Sequence, residues 1–328
     1  MPPTWLAGSG PVSVFVGVDV GGSKVLAAVV SADGQVVRSV HRRTPGRLVR
    51  AALVEDALTE AVTEVAAGEP IAGVGLAAAG FVDADGSRVR FAPHLPWRDD
   101  DVRTRLSDRW GVPVLLDNDA NCAAHAEVTY GAARGAASVV AVTLGTGIGG
   151  ALIVEGRLVR GRNGMAGEYG HMQVVPDGQP CECGRRGCWE QYASGNALVR
   201  VARSRLGHEP SILTDACSGD PDRLTGPMVT AAAVDGDLVA RQAFASVGDW
   251  LGVGVANLVA AIDPDLVVVG GGVSAAGERL LGPARDALER SLVGVGHRLV
   301  PPVVAALLGP EAGVVGAADL ARAAYGRR

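Results

Sequence analysis

One pattern occurs twice in this chain, and it restricts the fold more than any other feature. Residues 12–20 form a Val-rich strand pattern that breaks at Gly21-Gly22-Ser23 and resumes over 24–31. Residues 138–144 form a second one that breaks at Gly145-Thr146-Gly147 and resumes over 148–154. Short apolar runs bounded by glycine read as strands. Two strand, glycine turn, strand units about one domain's length apart predict two related lobes with a cleft between them. Asp33-Gly34 signals a hairpin into a third strand over 35–42. The spacing of Val49, Leu53, Val54, Ala57, Leu58, Ala61, Val62 and Val65 predicts a helix over 48–67. Further strands are expected over 71–76, 112–116, 265–269 and 303–307, and a hairpin over 81–91. Further helices are expected over 98–110, 230–261 and 278–292, and from 311 to about 325. This alternation makes the chain α/β. At 328 residues it is long enough for two cores. The lobes are expected at 12–120 plus 311–328 and at 121–310, behind a short disordered leader at 1–11.

The balance of charge excludes some partners. A net charge of -5 and an isoelectric point near 5.7 argue against a nucleic-acid surface, which needs a basic patch. No uninterrupted run of about 18 apolar residues suggests a membrane span. Residues 1–11 lack the basic start and apolar centre of a secretory signal.

One His and three Cys fall close together: Gly170-His171, then Cys181-Glu182-Cys183-Gly184-Arg185-Arg186-Gly187-Cys188. Small hydrophobic cysteines have no reason to cluster among Gly and Arg, and a disulfide would leave one of the three thiols unpaired. Thiolate and imidazole together are the ligand set of tetrahedral zinc. With all four ligands bound no position stays open, so zinc held by His171, Cys181, Cys183 and Cys188 is expected to be structural. It would fix the neighbouring carboxylates Glu168 and Glu190, which elsewhere would read as solvated. Clustered metal-binding cysteines suit a reducing cytoplasm. Cys122 and Cys217 are left as inert buried or semi-buried thiols.

Three glycine turns follow strand patterns: Asp19-Val20-Gly21-Gly22-Ser23-Lys24, Leu144-Gly145-Thr146-Gly147, and Val269-Gly270-Gly271-Gly272. Glycine lets backbone N–H groups approach a phosphate. One such turn means little; three, two of them in matching units, point to a nucleotide. Neither strand-to-strand turn fits a P-loop or a dinucleotide fingerprint, since both motifs lead into helices and Ser23-Lys24 is in the wrong order. Asp117-Asn118-Asp119 stands at the carboxyl end of a strand pattern, where α/β proteins place ligands. A helix N-cap would use only one of the three. Asn and several carboxylates converging on a pocket suit a polyol or sugar.

The motifs resemble those of the ROK family of sugar kinases and regulators. The matching stretches are DVGGSK at 19–24, DNDAN at 117–121, LGTGIGGA at 144–151, GEYGH at 167–171, CECGRRGCWE at 181–190, GGGVS at 270–274 and GPEAGVVGAA at 309–318. They run in order through most of the chain. The resemblance implies an actin-like, ribonuclease H-like two-lobe fold of the hexokinase type, with a central ligand cleft and a zinc-binding insertion. It implies ATP and magnesium, with Asp119 as catalytic base. Asn118, Asp119, Glu168, His171, Glu190, Gly80 and His94 would contact the sugar. His171 would bind zinc through one ring nitrogen and offer the other to a hydroxyl. Asp19 would sit near magnesium and phosphate, with Gly21, Gly22, Ser23, Lys24, Thr146 and Gly147 around the phosphate chain. Gly270 and Gly271 would line the adenosine side. Homodimers or homotetramers are expected on the same ground.

The family divides into kinases and DNA-binding repressors that carry a winged helix ahead of the first strand. Eleven residues precede the strand pattern here, too few for one, and Asp119 is intact. The segment Pro93-His94-Leu95-Pro96-Trp97 resembles that of the glucokinase branch, which implies phosphorylation of the glucose 6-hydroxyl. Three positions depart from the family pattern: His94 stands where Asn is usual, Asp117 where Glu is common, and Ser23 where Thr is common. His94 leaves room for another sugar, such as N-acetylmannosamine, fructose or allose. A non-catalytic sugar sensor and a zinc-stabilised interaction module are the readings outside kinase chemistry.

Overall fold

The computed structural model describes residues 13–326; the expected leader at 1–11 lies outside them. The chain divides into two compact units. The first opens with β1 (Val14–Val20), β2 (Lys24–Val30) and β3 (Val36–Arg43), the meander expected from the two turn signals. There follow α1 (Ala51–Ala66), β4 (Ile71–Ala78), and the short strands β5 (Phe81–Val82), β6 (Val89–Phe91) and β7 (Arg98–Asp100). Then come α2 (Val102–Trp110), β8 (Val114–Asn118) and α3 (Asp119–Thr129). The main sheet has the order β3-β2-β1-β4-β8. Its first two pairings are antiparallel and its last two parallel. The apolar stripe of α1, Val54, Leu58, Val62 and Val65, is buried with Val16, Val18, Val25 and Val29 of the strands.

The second unit repeats this plan. It contains β9 (Val139–Leu144), β10 (Ile148–Val154) and β11 (Arg157–Leu158). After them come the helices α4 (Glu190–Ala193), α5 (Gly195–Arg205), α6 (Leu213–Ala216), α7 (Gly226–Val234) and α8 (Leu238–Ile262). The unit closes with β12 (Leu266–Gly270), α9 (Glu278–Ser291) and β13 (Val303–Ala305). The sheet order is β11-β10-β9-β12-β13, again two antiparallel pairings followed by two parallel ones. The final helix, α10 (Ala312–Tyr325), belongs to the first unit and packs on β1, β4 and α3. Residues 160–166 also belong to the first unit, although the chain on either side of them belongs to the second.

Two expected helices are interrupted. Over 98–110, residues Arg98–Asp100 pair with β6 as a strand, and Asp99 takes φ +54°. The helix starts only after Asp101, whose carboxylate accepts a hydrogen bond from the Thr104 N–H at 3.1 Å. Over 230–261, α7 ends before Gly236, which adopts φ +96°. Asp237 then caps α8 by accepting from the Ala240 N–H at 2.9 Å. Helix α8 is 25 residues long and apolar enough by composition to cross a membrane, yet half of that apolar window is buried within the protein. Arg241 and Asp249 interrupt it in sequence, so no unbroken apolar run betrays it. Its buried Phe244, Val247, Leu251, Val255 and Val259 build the second unit's core.

Candidate active site

In the first unit the candidate residues gather at the carboxyl ends of the parallel strands. Asp19 is the penultimate residue of β1, Gly80 follows β4 by two residues, and Asn118 ends β8. The register aligns these ends, with Val20 opposite Ala78 and Ala78 opposite Asn118. Asn118 is the N-cap of α3: its side-chain oxygen accepts from the N–H groups of Ala120 and Asn121 at 2.9 and 3.2 Å. Its amide donates to the Gly80 carbonyl at 3.0 Å, which ties two strand ends together. Asp119 is thereby the first helical residue, and its carboxylate also accepts from the Ala120 N–H at 2.9 Å. A carboxylate here faces the positive end of the helix.

The glycine turn after β1 is closed by the Gly21 N–H donating to the Lys24 carbonyl at 3.0 Å. The Thr44 hydroxyl donates to the Gly21 carbonyl at 2.7 Å. Ser23 and Lys24 are exposed. His94 lies directly on this turn: a Cβ built on Gly22 would come within 2.4 Å of the His94 Cβ. The turn carrying His94 is held by the buried Leu95 and Trp97 and by Arg98, whose guanidinium donates to the carbonyls of Ala92, Leu95 and Trp97. Asp19 is half-buried, and burial raises its carboxyl above the ordinary range against the opposing charge of Lys24. A carboxylate short of solvent in this way suits a partner cation.

The structure gives Asp117 a supporting place rather than a ligand contact. It is buried, and its carboxylate is the framework of the turn. One oxygen accepts from the Asn118 N–H at 2.8 Å and the Asn121 side-chain amide at 2.9 Å. The other accepts both arms of the Arg160 guanidinium, at 2.9 and 2.6 Å. Asp117 is buried while Arg160 keeps about a third of its side chain in solvent, so losing Arg160 costs less than the about 3–5 kcal/mol of a fully buried pair. Sequence reasoning missed Arg160, since a lone Arg beyond a strand carries no signal of its own.

In the second unit, the side chains of His171, Cys181, Cys183 and Cys188 place one ligand atom each within 4.8 Å of one another. Cys183 and Cys188 are 3.6 Å apart at sulfur, and the Cys181 sulfur is 3.8 Å from His171 Nδ1. Zn–S bonds of about 2.3 Å at tetrahedral angles require sulfur–sulfur edges of about 3.8 Å, so these residues fit a tetrahedral metal ion. The loop folds on its own turns, with the Cys181 N–H donating to the Arg185 carbonyl and the Gly187 N–H to the Gln179 carbonyl, both at 2.8 Å. Trp189 anchors it. That indole is fully buried, donates to the Trp250 carbonyl at 2.7 Å, and lies where a Cβ on Gly254 of α8 would collide with it.

Glu190, next to this anchor, accepts from the Cys181 thiol at 3.1 Å and lies 3.6 Å from His171 Nδ1. Its other oxygen is 2.4 Å from a Cβ built on Gly147. The carboxylate thus joins the metal-ligand cluster to the Gly145-Thr146-Gly147 turn. Glu168 is half-buried, and burial raises its carboxyl; the His171 charge opposes that rise and the Glu190 charge adds to it. After β12, Gly271 adopts φ +85° against the backbone of Leu144, which brings the third glycine turn, with Gly270, to the end of β9.

A family model described as the ROK family matches residues 15–324. A glucokinase of Streptomyces coelicolor is 43% identical over 310 residues, 94% of this chain and 97% of the relative. A glucokinase of Thermotoga maritima is 36% identical over 324 residues, 95% and 98% of the two chains. The crystal structure of a ROK family glucokinase from Streptomyces griseus in complex with glucose and AMPPNP superposes with a TM-score of 0.87 at 43% identity. That match covers 95% of this chain and all of the other.

Proposed function

The chain belongs to the ROK family and is an ATP-dependent sugar kinase, and from that premise we propose that it transfers the γ-phosphoryl group of ATP to the 6-hydroxyl of glucose. Similarity at 43% identity over 94% of the chain to a glucokinase carries this assignment.

Asp119 is the general base. As the 6-oxygen attacks the γ-phosphorus in line, its proton passes to the Asp119 carboxylate, the bond from the γ-phosphorus to the bridging oxygen breaks, and ADP leaves with that electron pair. Positioning and charge stabilisation supply most of the acceleration in such transfers. The N-cap bonds of Asn118 fix Asp119 at the head of α3, and the second N–H of the Asn118 amide donates to a sugar hydroxyl. Gly80 and His94 border the same sugar. Glu168 and Glu190 accept from sugar hydroxyls. His171 presents Nε2 to one of them while Nδ1 stays in the cysteine cluster. Backbone N–H groups at Gly21, Gly22, Ser23, Thr146 and Gly147, with Lys24, receive phosphate oxygens, and Gly270 and Gly271 border the adenosine. Magnesium neutralises phosphate charge when bound, with Asp19 as the residue that fits it. Zinc in the His171, Cys181, Cys183 and Cys188 set holds the sugar loop in shape.

Replacing the base tests the mechanism. Asp119→Asn is expected to keep glucose binding in calorimetry and to lose turnover by a factor of about 100 or more, the usual contribution of general-base catalysis. Turnover within about tenfold of wild type would remove Asp119 from that role.

A further inference from the structure

We infer that Arg160 is a positioning residue for phosphoryl transfer, acting through Asp117 on the turn that carries Asp119; the inference rests on Asp119 being the base. Arg160 arises from residues 160–166, the short stretch that packs with the first unit while the chain before and after it packs with the second. This stretch is fixed independently of the ion pair. The Ala166 N–H donates to the Arg160 carbonyl at 3.1 Å, and Gly164, at φ +75°, sits so close to the Val82 carbonyl that a Cβ there would lie 1.9 Å from it. From that base Arg160 grips one Asp117 oxygen with two N–H groups. The other oxygen holds the Asn118 N–H and the Asn121 amide, both in the cap and first turn of α3. With two charged donors on one oxygen and two α3 donors on the other, the plane of the Asp117 carboxylate is held from both sides. The donors on its far side are then fixed with it, and Asp119 lies between them in sequence. Arg160 itself touches no residue assigned to the sugar or the phosphates in the hydrogen bonds described; its reach to the chemistry runs through Asp117. A Lys would keep the charge but lose the fork.

Steady-state kinetics of Arg160→Gln, Arg160→Lys, Asp117→Asn, the Asp117→Asn/Arg160→Gln double variant and Asp119→Asn, each well below its melting temperature, test this. Arg160→Gln is expected to lower kcat by about tenfold to a hundredfold, the scale of a misplacement near 1 Å, with KM for ATP within twofold of wild type. Arg160→Lys is expected to recover part of that loss. The double variant is expected to be no slower than the slower single, because both act through one carboxylate. A folded Arg160→Gln with kcat within twofold of wild type overturns the inference, and so do losses that multiply in the double variant. If Arg160→Gln does not fold, Arg160→Lys decides, with kcat at least threefold below wild type expected and an unchanged kcat contradicting it. Asp119→Asn separates the two levels. If it retains turnover, the base assignment fails; if it is inactive while the Arg160 variants are normal, only the positioning role fails.

Discussion

Glu190 shows how much one side chain does at this site. It accepts from a cluster thiol through one oxygen and crowds the Gly147 backbone with the other. Gly147 is therefore a spacing residue: any Cβ displaces the carboxylate. Gly147→Ala is expected to leave the melting temperature nearly unchanged, because the obstructing atom ends a flexible side chain. It is expected to raise KM for glucose about tenfold, the loss of one hydrogen bond to a charged group. An unchanged glucose KM would detach Glu190 from the sugar. Much at this scale was legible in the sequence. The Cys and His cluster declared itself by residue type and spacing, and structure shows that the four ligand atoms do meet. Asp117 stood out through its motif, but its pairing with Arg160 did not, because it spans 43 residues and belongs to no periodic pattern. The close seat of His94 on Gly22 was hidden for the same reason.

At the scale of elements, the cysteine loop depends on two supports. Its own turns give it shape, and Trp189 fastens it to α8. Burying such a side chain stabilises by about 1.5–3 kcal/mol, and the indole N–H is satisfied by the Trp250 carbonyl rather than left bare. The tryptophan holds the Cys188 end, whereas Cys183 lies on an exposed stretch, 182–186, at the far part of the loop. A metal ion held by His171, Cys181, Cys183 and Cys188 would support that stretch. Elemental analysis is expected to find one zinc per chain. Cys183→Ser is expected to lose it and to bind glucose at least tenfold more weakly, with the overall fold retained. Metal-free protein with wild-type glucose affinity would contradict the structural role. Periodicity gave the type of most elements it named, but it did not anticipate α3 and α5, took Arg98–Asp100 as helix, and placed boundaries wrongly where a side-chain cap competed with the helical pattern. Asp101 and Asp237 each start a helix later than apolar spacing suggests, since an N-cap satisfies amides that spacing does not count.

The whole molecule repeats one plan: two five-stranded sheets with the same order and the same sequence of antiparallel and parallel pairings. The doubled strand, glycine turn, strand pattern announced this, because strand periodicity and glycine breaks are local properties. The return of α10 and of residues 160–166 to the first unit is a property of packing, and for 160–166 no local signal marks it. Each unit places a candidate glycine turn where its β1-like strand ends, after Val20 in one and after Leu144 in the other. Identity of the sugar is the claim on which the account turns. The measurement that tests it most directly is ADP formation from ATP and magnesium across a panel of sugars, with the phosphorylated position read by NMR. The account predicts fastest turnover with glucose and a product phosphorylated at position 6. A preference for another sugar, or glucose binding without ADP formation, would contradict it.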